Sequence, residues 1–334
     1  MSVPRRTIIA GLGAAAAVSA TAPAATAFSP PRGGPPRLAP DISPIQHLKD
    51  MRRVLIDSDN LFGPRSVIPT VQQQINVIQQ LRQNRGGADR RELMQIQTQF
   101  AEFCGWLHQD AGDFRAAQYW TDRALEWSHL TNDADLTVYV LARKAQLAGD
   151  MADPIQAIDV GEAAQERARS DTKLPAVAAV YAAHGYALQG DAVATHRSYD
   201  RALELLGATD LDPSSPWGVW MDPAYIEVHR ARSLAALGDH RSAAAGFQTA
   251  IRELPQGYHR DRGVYLAREA AAYAGAQEPD RAADIALQAL SVGTDTGSAR
   301  ILTELTQLDT TLTRWRSVPA VTEFHDALAS TRQA

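Results

Sequence analysis

Cysteine is almost absent from this 334-residue chain, which contains only Cys104. A single cysteine excludes an intramolecular disulfide framework, and its place on the apolar face of a predicted helix favours a packed thiol over a nucleophile. The nine histidines include no His-Glu-x-x-His or similar close pair, so we predict no metal site and no cofactor. Gly-x-Ser-x-Gly and Walker-type sequences are also missing. The sequence therefore predicts a protein that is not an enzyme, with an enzyme kept as a remote alternative.

A strong charge of one sign and a long apolar run are also lacking. The formal net charge is −5, which argues against a surface devoted to nucleic-acid phosphates. Residues 8–20 are apolar, but this run is short and consists mostly of alanine and glycine, so it cannot span a bilayer. We expect no direct nucleic-acid partner and no transmembrane anchor.

A degenerate helical repeat is what the chain does contain. Residues 93–125 predict a helical hairpin, because two segments with apolar residues at three- and four-residue spacings meet at the turn 110–113. The Gly-Asp pair of that turn, Gly112-Asp113, recurs at 149–150, 190–191 and 238–239. The helix after each turn carries a small residue, then a bulky or small residue four positions later, then an alanine three positions after that. A fifth copy of this pattern follows Pro279. The clearest examples are Thr195, Tyr199 and Ala202, and Ala243, Phe247 and Ala250.

This pattern resembles the tetratricopeptide repeat over residues 91–296. The resemblance implies an all-α, right-handed solenoid of helical hairpins with N- and C-terminal capping helices. It divides the chain into a signal-like or linker segment with a Pro-rich spacer (1–40), capping helices (41–90), about five repeats (91–296) and further capping helices (297–334). Because the repeat is a scaffold, the resemblance implies a fold and not a particular function.

A second resemblance is narrower. The run Asp59-Asn60-Leu61-Phe62-Gly63-Pro64-Arg65, with Pro69, Gly105-Trp106-Leu107 and Gly112-Asp113, is similar to the C-terminal repeat domain of actinobacterial helix-turn-helix transcriptional regulators. Only four residues precede Arg5, so we expect no DNA-binding domain in this chain. What the resemblance implies is a regulatory role through sensing or protein binding by the repeats.

The first 27 residues allow two interpretations. Arg5-Arg6, the apolar residues 8–20 and Ala25-Thr26-Ala27 are typical of a twin-arginine export signal cleaved after Ala27. In the regulators, a similar Arg-Arg-Thr segment is a linker, and on that basis we expect a cytoplasmic protein, with export as the alternative. Residues 11–16 also match Gly-x-Gly-x-x-Ala, but no βαβ context follows, so we do not predict a dinucleotide site.

When the hairpins are aligned on their Gly-Asp turns, equivalent positions on the first helices can be identified. In a solenoid these positions lie side by side, so we expect them to face one concave groove. Aromatic side chains there can supply buried area, and arginines can pair with carboxylates. We therefore expect a non-catalytic protein that binds a peptide, a protein or a small signal molecule with acidic groups. The alternative is that the arginines are solvated and His184 is packed. The oligomeric state stays open, a homo-oligomer included. The predicted groove residues are Trp106, Tyr139, Arg143, His184, Tyr225 and Arg232.

Overall fold

The computed structural model describes residues 43–207, 211–255 and 257–331, and these residues are helical nearly throughout. They form fourteen α-helices and one 3-10 helix (Thr313–Trp315), and no β-strand occurs within these ranges. The predicted all-α class is confirmed. The helices are α1 (Pro44–Phe62), α2 (Pro64–Gln83), α3 (Gly87–Asp110), α4 (Phe114–Ser128), α5 (Ala134–Asp150), α6 (Pro154–Arg167), α7 (Leu174–Leu188), α8 (Ala192–Leu206), α9 (Pro223–Ala236), α10 (His240–Glu253), α11 (His259–Gly275), α12 (Pro279–Thr296), α13 (Ala299–Leu312) and α14 (Pro319–Thr331).

Ten of these helices form five consecutive hairpins that stack side by side. Hairpins 1 to 5 are α3/α4, α5/α6, α7/α8, α9/α10 and α11/α12, and within each hairpin the two helices pack on one another. Neighbouring hairpins also pack through their first helices, as α5 does on α7 and α7 on α9. Helices α1 and α2 cover the first hairpin, and α13 and α14 cover the last. The chain is thus a helical-repeat solenoid with capping helices, as predicted, whereas the domain boundaries stay a prediction.

The turn inside each hairpin has one construction, a residue with positive φ followed by an acidic residue at the N-cap. In hairpins 1 to 4 the aspartate accepts a hydrogen bond from the backbone N–H three residues later, which satisfies an end of the second helix. The positive-φ residues are Gly112, Ala152, Gly190, Gly238 and Gln277. In hairpin 2 this residue is Ala152, and Gly149-Asp150 lies in the last turn of α5. The expectation that Gly149-Asp150 forms the second turn is therefore wrong.

The small residues on the second helices are buried where each hairpin crosses. Ala202 and Ala243 are both fully buried, and the larger Tyr199 and Phe247 fill the space between neighbouring helices. Gly105 shows how close the approach is, because a Cβ at this position would lie 2.8 Å from Thr121 Oγ1. Alanine and glycine are therefore required by backbone proximity, since a larger side chain would have to displace the facing helix.

The connection from α8 to α9 is the longest in the array, and its described part folds back onto the inner helices. Trp217 is buried and stacks on Tyr139 with ring centroids 4.7 Å apart. Met221 is also fully buried, and its carbonyl accepts a hydrogen bond from Lys173 Nζ at 2.8 Å. The connection thus supplies core residues to α5 and α7.

The two ends of the array meet through four charged residues that we call the clasp: Asp59, Asp110, Arg260 and Arg300. Arg260 on α11 ion-pairs with Asp59 on α1 at 3.1 Å and also with Asp110 at the end of α3. Arg300 on α13 lies 3.4 Å from Asp110. The clasp joins the N-terminal helices to the C-terminal ones, so the inner helices surround a central space.

Residues 1–42 are outside the described ranges. The twin-arginine signal, its cleavage after Ala27, the spacer and the Gly-x-Gly-x-x-Ala match all lie there. Among the helices of the described ranges, none is both long enough and apolar enough to cross a membrane.

Candidate functional site

A cavity of about 160 Å³ lies between the inner helices. Its lining comes from α3, α5, α9, α11 and α13, with contributions from the end of α10 and from the loops before α9 and α11. The lining residues used below are Trp106, Gln146, Asp150, Trp220, Asp222, Tyr225, His229, Arg232, Glu253, Tyr258, Asp261, Tyr265, Arg268 and Arg300. This volume is about that of an engineered 150 Å³ cavity that binds benzene. The cavity is also partly open to solvent, so a ligand longer than one ring can extend through its opening.

Aromatic rings form much of the cavity wall. Trp106 comes from α3, Tyr225 from α9 and Tyr265 from α11, and Trp220 and Tyr258 come from the loops. The Tyr225 ring lies 4.5 Å from that of His229, and its hydroxyl lies 3.1 Å from the Tyr181 hydroxyl. Such rings supply apolar contact area together with polar edges, which suits a binding surface.

Three arginines converge on Asp150 at one end of the cavity. Arg232 Nη2 lies 2.6 Å from Asp150 Oδ1, and Gln109 Nε2 donates to Asp150 Oδ2 at 2.5 Å. Burial acts to raise the pKa of Asp150, but Arg232, Arg268 and Arg300, together with the Gln109 hydrogen bond, hold it well below its ordinary value. Asp150 is therefore ionised at neutral pH.

Arg268 and Arg300 complete this arginine end. Arg268 Nε donates to Glu304 Oε1 at 3.0 Å, and Arg300 lies 3.4 Å from the Asp110 carboxylate that Arg260 also contacts. Burial lowers the pKa of the Arg268 guanidinium, Glu304 opposes this shift, and the nearby Arg232 and Arg300 add to it. The arginine side chains are thus held close together, although each has a carboxylate partner.

Of the six predicted groove residues, three lie together on the cavity wall: Trp106, Tyr225 and Arg232. Trp106 has the Arg143 guanidinium 4.8 Å and the Arg300 guanidinium 5.9 Å from its ring centroid. The Arg300 contact links the predicted aromatic position to the arginine end.

The other three predicted residues are buried beside the cavity and have partners inside the protein. Tyr139 donates to Glu102 Oε1 at 3.0 Å. Arg143 is only 4% exposed, pairs with Glu102 at 3.0 Å and donates to Gln109 Oε1 at 3.1 Å. His184 Nδ1 lies 3.0 Å from Ser233 Oγ, and burial, followed by the charge of Arg232, lowers its pKa well below 6.5. The expectation that these side chains face an open groove differs from the structure, and ligand binding by the six residues stays a prediction.

The second turn explains this difference for Tyr139 and Arg143. His184 lies six residues before Gly190 and so has the expected register, but it is buried against Ser233. When hairpins are aligned on their positive-φ residues, the equivalent of Trp106 and Arg232 in hairpin 2 is Gln146, which lies six residues before Ala152. Gln146 does line the cavity. The alignment on Gly149 shifted hairpin 2 by three residues and placed Arg143 at this position instead.

Two cavity arginines were missed by the sequence analysis. Arg268 belongs to hairpin 5, whose turn contains Gln277 instead of a Gly-Asp pair, so this hairpin was not placed in the groove alignment. Arg300 lies on α13, outside the predicted repeats. The positive-φ position of a turn can be occupied by a residue other than glycine, and no sequence signal identifies such a case unambiguously.

The described residues contain neither a group that could bind a metal ion nor an accessible thiol nucleophile at Cys104. They contain no group of three or more His, Cys, Asp or Glu side chains that could hold a metal ion. Cys104 is fully buried, and burial raises the pKa of its thiol to about 12. Ser233 and His184 are within hydrogen-bond distance, as a nucleophile and its base would be, but Ser233 is fully buried and also contacts the Tyr199 hydroxyl at 2.7 Å. Its position is that of a packing residue between helices.

No protein-family model matches the chain, and no curated protein matches its sequence. Among solved structures, it is similar to a Rap protein crystallised in complex with competence and sporulation factor, with a TM-score of 0.58 and 12% identity, covering 86% of this chain and 85% of that one. It is also similar to BtubC (BKLC) from P. vanneervenii, with a TM-score of 0.46 and 16% identity over 69% of this chain and 91% of that one. The likeness to the Rap protein shows a shared helical-repeat fold.

Proposed function

We propose that this chain is a non-catalytic helical-repeat protein that binds a peptide, a protein or a small signal molecule in its central cavity. The observation that carries the proposal is the combination of an aromatic wall with an arginine end in one cavity. Trp106 and Tyr225 provide contact area for apolar groups, and Arg232 provides guanidinium N–H donors for a carboxylate.

Two further observations support a regulatory binding role. The Rap protein with the similar fold was crystallised with competence and sporulation factor. The motifs at residues 59–65, 69, 105–107 and 112–113 are similar to those of repeat domains in actinobacterial transcriptional regulators. A repeat domain of this kind acts by changing its contacts when a ligand is bound.

The proposed place of action is the cytoplasm. The alternative is an exported scaffold protein, which the Arg5-Arg6 and Ala25-Thr26-Ala27 signals favour. Fractionation of the native host and mass determination of the N-terminus separate the two. A mature chain that starts at Phe28 contradicts the cytoplasmic proposal and favours the scaffold.

The binding proposal is tested with the full chain and a library of synthetic peptides of varied charge and length. Affinities are measured by calorimetry and by the fluorescence of Trp106 and Trp220, which line the cavity. Arg232→Ala is expected to weaken binding of carboxylate-bearing peptides by about 1.5–3 kcal/mol, the range for a charge-assisted hydrogen bond. Asp150 stays compensated in this variant, because Arg268 and Arg300 also act on it.

Matched controls are available on the outer surface. Tyr119, which is exposed, and Arg123, which is half-buried, lie on α4, and neither lines the cavity. Arg123→Ala and Tyr119→Ala should leave peptide affinity unchanged, whereas Arg232→Ala and Tyr225→Ala should lower it. If the cavity variants melt like the parent and bind every peptide as tightly, the cavity is not the binding site.

A further inference from the structure

The cavity has a second charged end, opposite to the arginines. On α11, Asp261, Tyr265 and Arg268 follow one another at spacings of four and three residues, which places them on one face of the helix. On α9, Tyr225, His229 and Arg232 have the same spacing. All six side chains line the cavity. The arginines lie towards the C-terminal ends of these helices, and Asp261 lies in the first turn of α11.

Two more carboxylates lie at the same end as Asp261. Asp222 is the N-cap of α9, and Glu253 is the last residue of α10. Because α9 and α10 form an antiparallel hairpin, the start of α9 and the end of α10 are neighbours, and a short loop leads from there to the start of α11. All three carboxylates line the cavity. We call them the acidic end.

Within the part of the chain that the structure describes, no ion pair joins the acidic end to a cation, whereas the arginine end has its counterions. Glu253 is exposed, and Asp222 and Asp261 are half-buried. Among the described residues, none of Asp222, Glu253 and Asp261 takes part in an ion pair; Asp222 accepts a backbone hydrogen bond from Tyr225 at 2.8 Å. Arg232, Arg268 and Arg300 each pair with a carboxylate. The uncompensated charge of the cavity is therefore negative and lies at the acidic end.

The tyrosines near the acidic end strengthen its preference for a cation. Tyr258 immediately precedes α11. Tyr225 on α9 lies one helical turn after Asp222, and Tyr265 on α11 lies one helical turn after Asp261. Aromatic faces attract ammonium groups, particularly where water is partly excluded. Burial raises the pKa of Tyr265, with Asp261 and Asp222 adding to the shift and Arg300 and Arg268 opposing it, so this ring senses both ends of the cavity.

We propose that the cavity takes a dipolar ligand, with its protonated amine at the acidic end and its carboxylate at the arginine end. This inference rests on the proposed function and specifies its ligand. Asp261 and Arg268 are seven residues apart, which corresponds to about 10 Å along an α-helix. An extended peptide covers about 3.3–3.6 Å per residue, so the free termini of about three residues match this distance. A short peptide with free ends and an unbranched ω-amino acid share this chemistry.

The first experiment compares blocked and free ligand termini on the full chain. The probes are a pool of tripeptides with free termini, the same pool N-acetylated, the same pool C-amidated, and 8-aminooctanoate. We expect the free pool to bind and N-acetylation to weaken binding at least tenfold, with a smaller loss on amidation. Binding of the free pool alone identifies a peptide source, and binding of 8-aminooctanoate as well identifies the dipole itself as sufficient. An acetylated pool that binds as tightly as the free pool overturns the inference.

The second experiment removes one charge without changing the shape of the side chain. Asp261→Asn should lower the affinity for the free tripeptide pool at least tenfold and leave the affinity for the acetylated pool unchanged. Asp284→Asn, at an exposed position of α12, is the matched control and should change neither. Equal affinity of parent and Asp261→Asn for the free pool contradicts the inference.

These results are distinguishable from failure of the proposed function. If longer peptides bind in a manner that depends on Arg232 and Tyr225 but free tripeptides do not, the dipolar inference is wrong and cavity binding stands. If no peptide of either experiment binds in a cavity-dependent manner, both are wrong.

Discussion

Arg260 on α11 and Asp59 on α1 form a buried ion pair across 201 residues of sequence. The Arg260 guanidinium also donates to the Asp59 backbone carbonyl at 2.6 Å and pairs with Asp110. Asp59 is 1% exposed, so its carboxylate is removed from water and the Arg260 guanidinium contributes to compensating its charge. One arginine therefore holds the first helix and the third against the eleventh.

Arg260→Ala should destabilise the protein strongly, by about 3–5 kcal/mol, because it removes a buried guanidinium that pairs with two buried carboxylates. Denaturant unfolding monitored by circular dichroism measures this change. Arg53→Ala is the control, since Arg53 pairs with Asp50 at the surface, where an ion pair contributes about 0–1 kcal/mol. Similar small losses in both variants mean that the clasp does not stabilise the folded state.

Gln277→Gly should stabilise the protein by about 0.5–1 kcal/mol. Gln277 has a φ of 65°, a left-handed conformation that costs a residue with a Cβ about 1–2 kcal/mol, and only part of this gain is offset by the greater freedom of glycine in the unfolded chain. The same substitution at Gln288, exposed in the interior of α12, should destabilise by about 0.5–1 kcal/mol. Thermal melts of the two variants should therefore shift in opposite directions, and a shift in one direction contradicts the turn geometry.

Ala202→Arg should destabilise by several kcal/mol, because Ala202 is fully buried in α8 and an arginine there would bring an unpaired charge between helices. Ala271→Arg is the matched control, because Ala271 is an exposed position on α11. Chemical denaturation gives both values. A near-zero change for Ala202→Arg contradicts the close packing at this crossing.

Stability should fall as the pH drops below about 6.5 because of His184. Burial, with a further contribution from Arg232, holds its pKa well below 6.5 in the folded protein. Below pH 6.5 the unfolded chain therefore takes up a proton that the folded protein does not, so the contribution of His184 is complete above this pH and is lost as pH falls. The expected slope is up to about 1.4 kcal/mol per pH unit.

The pH experiment compares unfolding free energies from pH 7.5 to 5 in the parent and in His184→Asn, which keeps a polar atom for Ser233. The variant should have the flatter profile. His196→Gln, at an exposed position of α8, should retain the slope of the parent. Parallel profiles of the parent and His184→Asn mean that another group causes the loss.

The sequence was sufficient for the fold because the features that determine it are local. Helical periodicity and small residues such as Ala202 and Ala243 act within one hairpin, and they are found where they were predicted. The Asp N-caps of the second helices are local features too. The turn of hairpin 2 was misplaced because Ala152 adopts the conformation that glycine usually occupies, while Gly149 is helical. Local preference and actual geometry disagree at Ala152, as they also do at Gln277 in the turn of hairpin 5.

The site was predicted only in part, because it depends on contacts between distant elements. Because the alignment of hairpin 2 was shifted by three residues, Arg143 was predicted at the cavity position that Gln146 occupies. The Arg143 guanidinium forms a buried ion pair with Glu102. The participation of Arg300 depends on the closure of the array, which brings α13 beside α3. Neither the pairing of Arg143 nor this closure follows from helical periodicity.

Closure also changes how the chain can unfold. In an open repeat array the terminal units have one neighbour and fray first, and stability is roughly a sum of nearest-neighbour terms. Here α1 and α3 are held by α11 and α13 through the clasp, so loosening the first helix also exposes charges on the last hairpin. We therefore expect the array to behave as a ring with respect to cooperativity. Amide protons of α1 should exchange with solvent together with those of the middle helices, and contacts distant in sequence should have to form before folding is complete.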